Sequence, residues 1–194
     1  MTATVPPNHR VDTGRILEVL LSAFSSDPGF RWMFPDPHRY RTAFPEMVRL
    51  AAGTAIEDAT VDVVGGGVGA AVWRAPGVAS AADETWGELF LALVDPERLA
   101  EVFAFGEQFG SYHPSEPHWY LVAVGVDPYQ QGSGHGSALL RTGLERCDRD
   151  GLPAYLEAGH PRNRALYERH GFEVLGEIQV ADSPPAWPML RPPA

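Results

Sequence analysis

The sequence predicts a mixed α/β (α+β) domain, a central mixed sheet with helices on both faces. Three observations lead there. Apolar residues recur at helical spacing in some segments and cluster as β-branched runs in others, in the order α, α, β, β, α, β, α, β, α, β, β. The stretch 118–170 reads strand, glycine turn, helix, strand, helix, which implies right-handed crossovers onto one sheet. An early hairpin and two late strands add antiparallel pairs, so the sheet is mixed and not doubly wound.

Asp12 or Thr13 can cap a helix running to about Phe24, with Ile16, Leu17, Leu20 and Phe24 on one face. Ser25–Gly29 ends it. DPGFRWMFPDP (27–37) reads as an ordered loop carrying large apolar side chains. A helix from Arg39 to about Ala52 places Phe44, Met47, Val48 and Ala51 inward, and Pro45 is expected to kink or split it. Ala59–Val64 and Val68–Trp73 are strands flanking Gly65, Gly66 and Gly67, a hairpin signal. Residues 79–112 read as two helical pieces, broken near Asp95-Pro96. The β-branched and aromatic run His118–Val126 is a strand ending at Asp127-Pro128. A helix then runs to about Arg149, with Leu139, Leu140, Leu144 and Cys147 on one stripe. Ala154–Ala158 is a short strand. Pro161–His170 is a helix closed by Gly171. Phe172–Gln179 and Trp187–Leu190 are the last strands, and the polar, Pro-rich residues 1–10 form a loose tail.

The 194-residue length suits one domain, 1–194. No apolar run approaches the roughly 18 residues that span a bilayer, and MTATVPPNHR lacks the pattern of a signal peptide. The expectation is a soluble, cytoplasmic protein, monomer or homodimer. With 15 Lys+Arg against 25 Asp+Glu the net charge is -10, which disfavours nucleic acid and anionic membranes as partners. Every one of those basic residues is arginine. The absence of lysine excludes Schiff-base catalysis and a Walker-type phosphate loop. The one cysteine, Cys147, excludes an internal disulfide and reads as core. The seven histidines have no metal-ligand spacing, so no metal is expected.

The segment LVAVGVDPYQQGSGHGSALL (121–140) carries the strongest chemical signal. A strand ends, Gly132, Gly134 and Gly136 follow, and a helix begins. Glycines permit left-handed backbone angles and remove the Cβ that would block a ligand. Successive N–H groups then converge on an anion at the positive end of the helix dipole. A pyrophosphate fits such a turn even on an acidic protein. The G-x-G-x-G spacing departs from the dinucleotide-binding G-x-G-x-x-G, although Glu157 can stand in for that motif's acidic partner.

Gln131-Gly132-Ser133-Gly134-His135-Gly136 resembles the Q/R-x-x-G-x-G/A signature of the GCN5-related N-acetyltransferases (GNAT). Asn163, Tyr167, Gly171 and Phe172 follow that family's N-x-x-x-Y-x-x-x-G-F pattern. The chain is most similar to the puromycin N-acetyltransferase-like branch. The shared features are Glu116, Pro117, Trp119, Tyr120 and Leu121, the run Ala71–Trp73, Gly151 with Pro153–Glu157, and Y-E-R-x-G-F from Tyr167. The resemblance is strong from about residue 113 onward and thin before 68. It implies a mostly antiparallel twisted sheet whose strands splay at the cofactor, and acetyl transfer from acetyl-CoA to a small-molecule amine such as an aminonucleoside or other antibiotic. Gln131–Ser137, including Ser133, His135 and Ser137, would cradle the pyrophosphate. Val124, Gly125 and Val126 would meet the pantetheine arm. Tyr167 would protonate the leaving thiolate, its phenol being protonated at neutral pH. Asn163, one of two asparagines, lies four residues earlier on the same helical face.

Amine deprotonation is less defined. Glu157 is a candidate base, with His118 and Glu116 as others, and Asp27 could bind a cationic amine. Trp32, Phe34, Trp73 and Trp86 are candidate walls of an acceptor pocket. Two other readings stay open: a domain that binds CoA without turnover, and a dinucleotide-binding enzyme.

Overall fold

The computed structural model of the chain describes residues 12–53 and 60–194. The expected tail and Ala59 of the first expected strand lie outside the described residues. Asp12 caps α1 (Thr13–Ala23) by accepting from the Gly14 N–H, and Ile16, Leu17 and Leu20 bury its apolar stripe. The loop expected over 27–37 is instead largely helical. Asp27 accepts from the N–H groups of Gly29 and Phe30 at 3.0 and 3.1 Å and starts α2 (Pro28–Met33). Pro28 sits in the first turn, where its missing N–H is no loss. Nor is α3 (Pro37–Ala52) split at Pro45, because Tyr40, Ala43, Phe44 and Val48 bury the helix on both sides of the absent hydrogen bond.

Six strands follow: β1 (Thr60–Val64), β2 (Gly69–Arg74), β3 (Trp119–Val126), β4 (Ala154–Ala158), β5 (Glu173–Val174) and β6 (Trp187–Arg191). Their spatial order is β1-β2-β3-β4-β6-β5, and only β3 and β4 run parallel. The strand expected over Phe172–Gln179 shrinks to β5 plus an isolated Ile178–Ala186 bridge. At Gly176 the backbone passes so close to the Tyr112 ring that a Cβ would overlap it.

Two features of β3 open the sheet. Its pairing with β4 holds register only at Trp119–Ala154 and Tyr120–Tyr155. Beyond Tyr120 the two strands have no shared register, which leaves a wedge between them. The register with β2 slips at Val72/Trp73, where β3 holds one residue more than its partner. Such a bulge re-aims the strand. Trp119 and Leu121 face one core, Ala123 the other.

Between β2 and β3 lie α4 (Asp83–Leu93) and α5 (Leu99–Tyr112), joined through a short 3₁₀ turn at Pro96–Arg98. After β3 come α6 (His135–Asp150) and α7 (Pro161–Glu168). One core packs α1, α3 and α5 against the sheet, the other packs α6 and α7 against its opposite face. No helix among the described residues is long and apolar enough to cross a membrane.

Candidate active site

The glycine turn is built as an anion cradle. Gly132 and Gly134 take left-handed backbone angles, φ 81° and 85°, and a Cβ at either would stand in open space. Gly134 is the N-cap of α6 and offers no side-chain cap, so the first N–H groups of that helix have no capping side chain. The Gln131 side chain turns back to the strand: its Nε2 donates to the Val126 carbonyl at 3.2 Å and ties the turn to the strand end. Ser137 Oγ lies 3.1 Å from His170 Nε2. Burial, then the charges of Arg141, Arg169 and Arg191, push the His170 pKa down. Arg141 and Arg169 thus add positive potential at His170, beside Ser137 in the first turn of α6, while Arg191 is paired with Asp148 at the far end of that helix. The main-chain N–H groups from Gly132 to Ser137 offer donors of the kind that suit a diphosphate.

A cavity of about 790 Å³ enters the wedge between β3 and β4. Val124, Glu157, Asn163 and Tyr167 border it, and Asp27 does so from the start of α2. Tyr167 is 7% exposed, and its hydroxyl has no hydrogen-bond partner among the described residues. Burial first, and the nearby Asp27 carboxyl second, raise its pKa well above the ordinary phenol value. Asp27 itself is raised, mainly by burial, against two backbone hydrogen bonds that favour its anion. A Cβ at Gly159, at the end of β4, would lie 3.3 Å from Asp27 Oδ2, so the glycine lets the carboxylate approach the wedge.

Glu157 stands on β4 with its side chain 10% exposed. Tyr120 on β3 donates its hydroxyl to Oε2 at 2.8 Å. His113 Nδ1, at the end of α5, lies 3.8 Å from Oε1. Arg74 donates to His113 Nε2 at 3.0 Å and to the Ala51 carbonyl at 2.9 Å, and its guanidinium stacks 4.7 Å from the Tyr120 ring centre. Arg74 can only donate, so His113 Nε2 is the acceptor in that contact. His118 lies behind, with its Nε2 3.2 Å from that of His113 and its Nδ1 donating to the Glu116 carbonyl at 2.7 Å. Burial lowers its pKa and favours the neutral ring. Glu116 contributes this backbone oxygen, and its own residue is exposed.

Several expected site residues lie elsewhere. Trp32, Phe34 and Trp73 are core residues outside the cavity wall. Trp32 donates Nε1 to Asp182 at 2.8 Å, Phe34 is fully buried, and Trp73 packs on α6, where a Cβ at Gly143 would overlap its ring. Gly125 is occupied by packing, since a Cβ there would lie 2.8 Å from that of Ala23. The Val126 side chain is buried and the His135 ring lies next to the β1–β2 hairpin, so what these two offer a ligand is main chain. Trp86 does line the cavity. The sequence reading missed Arg74, His113 and Tyr120 as partners of Glu157.

The fold sets a glycine turn at a helix start beside an opened parallel strand pair, an arrangement suited to a phosphate-bearing ligand. The chain belongs to the acetyltransferase (GNAT) family, a family of acyltransferase enzymes, whose model matches residues 17–172. It is 44% identical over 62 residues to an uncharacterised N-acetyltransferase of Schizosaccharomyces pombe, covering 32% of this chain and 25% of that protein. It is 38% identical over 86 residues to a mycothiol acetyltransferase of Kocuria rhizophila, covering 41% and 27%. These matches span about a quarter of the length of the curated relatives. A solved Corynebacterium glutamicum structure, described as histone acetyltransferase HPA2 and related acetyltransferase, is 31% identical with a TM-score of 0.70, over 100% of this chain and 98% of that one.

Proposed function

We propose that the protein transfers an acetyl group from acetyl-CoA to the amine of a small molecule by direct attack on the thioester. The observation that carries this reading is the convergence of Glu157, Asn163 and Tyr167 on one cavity, at the wedge that leads to the glycine turn. The thioester supplies an acetyl carbon already activated for attack. The chain supplies the rest. Main-chain N–H groups of Gly132 to Ser137 hold the diphosphate, and the main chain of Val124 with the N–H of Val126, on the stretch of β3 outside the β4 register, aligns the pantetheine arm. Glu157, oriented by the Tyr120 hydroxyl, takes the proton of the incoming ammonium, directly or through one water. The C–N bond forms, the C–S bond breaks, and Tyr167 gives its proton to the departing sulfur. A buried, protonated phenol with a free hydroxyl suits that task. Asp27 stabilises the cationic amine before it is deprotonated. The acceptor classes that the puromycin branch suggests, aminonucleosides and other antibiotics, are tested first.

The experiment follows free thiol release from acetyl-CoA against a panel of amines. Tyr167→Phe is expected to lower kcat by about 10²-fold or more with acetyl-CoA affinity retained, and Glu157→Gln to lower kcat/KM by a similar factor. A folded protein that binds acetyl-CoA, yet releases no thiol with any amine, would favour the binding-only reading. Full activity in Tyr167→Phe would remove the tyrosine from the mechanism.

A further inference from the structure

Three glycines of the α4–α5 hairpin are not accounted for by the protein's own packing. Every other glycine among the described residues either has a positive φ or would bring a Cβ within 4 Å of another residue's atom. Gly87 in α4 and Gly106 and Gly110 in α5 do neither. They sit within helices, and a Cβ on any of them would meet nothing within 4 Å. Glycine inside a helix is less stable than alanine. For the protein alone, alanine at each position is therefore the better residue. All three border the same cavity, where a missing Cβ widens the space for something else.

The surrounding chemistry describes that occupant. α4 buries none of its residues, yet its Trp86 and Phe90 line the cavity, as does Phe103 of α5, which is 37% exposed. These aromatic faces form an apolar wall that the protein's own side chains leave open. The charges on the wall are mostly acidic: Asp83 and Glu107 on the two helices, and Glu157 on β4. The arginine present, Arg74, is engaged by the Ala51 carbonyl and His113. Such a surface attracts a cation and repels an anion, while its aromatic lining rewards apolar area.

We propose that the slot between α4 and α5 is the acceptor site, and that it takes a primary amine with an extended apolar or aromatic body. The body lies along Gly87, Gly106 and Gly110, and the ammonium points toward Glu157. This rests on the acetyl-transfer reading above and adds the substrate class to it.

The test measures thiol release with ethylamine, hexylamine, 2-phenylethylamine and spermidine, for the native protein and for Gly106→Ala and Gly110→Ala. In the native protein kcat/KM is expected to rise with the apolar body and to be low for spermidine. Each alanine is expected to raise Tm, and to lower kcat/KM for 2-phenylethylamine about tenfold more than for ethylamine. Alanine variants that treat the whole amine series as the native protein does would overturn the slot, as would a native preference for spermidine. If no amine releases thiol, the acetyl-transfer reading fails, and the slot is then judged by calorimetry with 2-phenylethylamine. Binding that weakens in both alanine variants upholds the slot, and no binding to the native protein overturns it.

Discussion

Asp27 closes the N-terminus of α2 with one carboxylate oxygen and meets Gly159 with the other. Burial raises its pKa, which means that the fold favours its protonated form. A carboxyl raised in this way contributes stability that is fully present below its unfolded value near 3.8 and is lost as pH rises through its folded value. Asparagine caps a helix about as well as aspartate but has no charge to desolvate. Asp27→Asn is thus expected to be more stable than the native chain at pH 7, with the difference vanishing toward pH 3. Urea unfolding at both pH values checks this, and a variant less stable at pH 7 would show that the anion's hydrogen bonds outweigh its burial. The same substitution removes a negative charge from the cavity and is expected to raise KM for amines. In the sequence, Glu157, Asn163 and Tyr167 stand in local motifs, whereas Asp27 is marked only by its place after the first helix. The partners of Glu157 were not legible. Arg74, His113 and Tyr120 come from β2, α5 and β3, and no spacing along the chain records that they meet.

Elements with a complete local signal matched their expected bounds to within about two residues. Asp12 and the Ile16, Leu17, Leu20 stripe mark α1, and Gly65 to Gly67 mark the β1–β2 hairpin. Where helix signals and loop signals mixed, the reading failed: Asp27-Pro28 is a cap and a first turn, yet Gly29 and Pro35 made the segment read as a loop. Large aromatics misled for a different reason. A tryptophan is apolar whether it fills a core, like Trp73, or walls a cavity, like Trp86, and only the tertiary arrangement separates the two. One element-scale contact has a measurable consequence. Arg146 of α6 donates to Asp62 of the edge strand β1 at 2.7 Å, with side chains only 16% and 8% exposed, and its guanidinium stacks 5.2 Å from the Trp119 ring centre. Asp62→Ala leaves that guanidinium buried without its counter-ion, and is expected to destabilise the fold by about 3 kcal/mol. Adding Arg146→Met should recover most of the loss. Denaturant unfolding of the single and double variants checks both steps, and equal instability of the two would mean that the cost lies in packing and not in the stranded charge.

At the scale of the whole molecule, the sheet is two halves with a narrow bridge. β1, β2 and β3 form one ladder, β4, β6 and β5 the other, and the β3–β4 register joins them at Trp119–Ala154 and Tyr120–Tyr155. α6 crosses to the first half, with its closest packing on β1, β2 and β3, while α7 lies against β4. A ligand seated in the wedge touches both halves and replaces the hydrogen bonds that β3 and β4 do not make to each other. Acetyl-CoA at 100 times its dissociation constant is therefore expected to stabilise the fold by about 2.7 kcal/mol, because it binds the folded chain alone. The distribution of the effect is more telling than its size. Amide hydrogen exchange should slow most at Leu121 to Val126, at Leu156 to Ala158 and at the start of α6, with little change along β1. NAD should produce neither the thermal shift nor this pattern. Stabilisation spread evenly over the molecule would point to a site away from the wedge, and a matching response to NAD would favour a dinucleotide-binding protein instead.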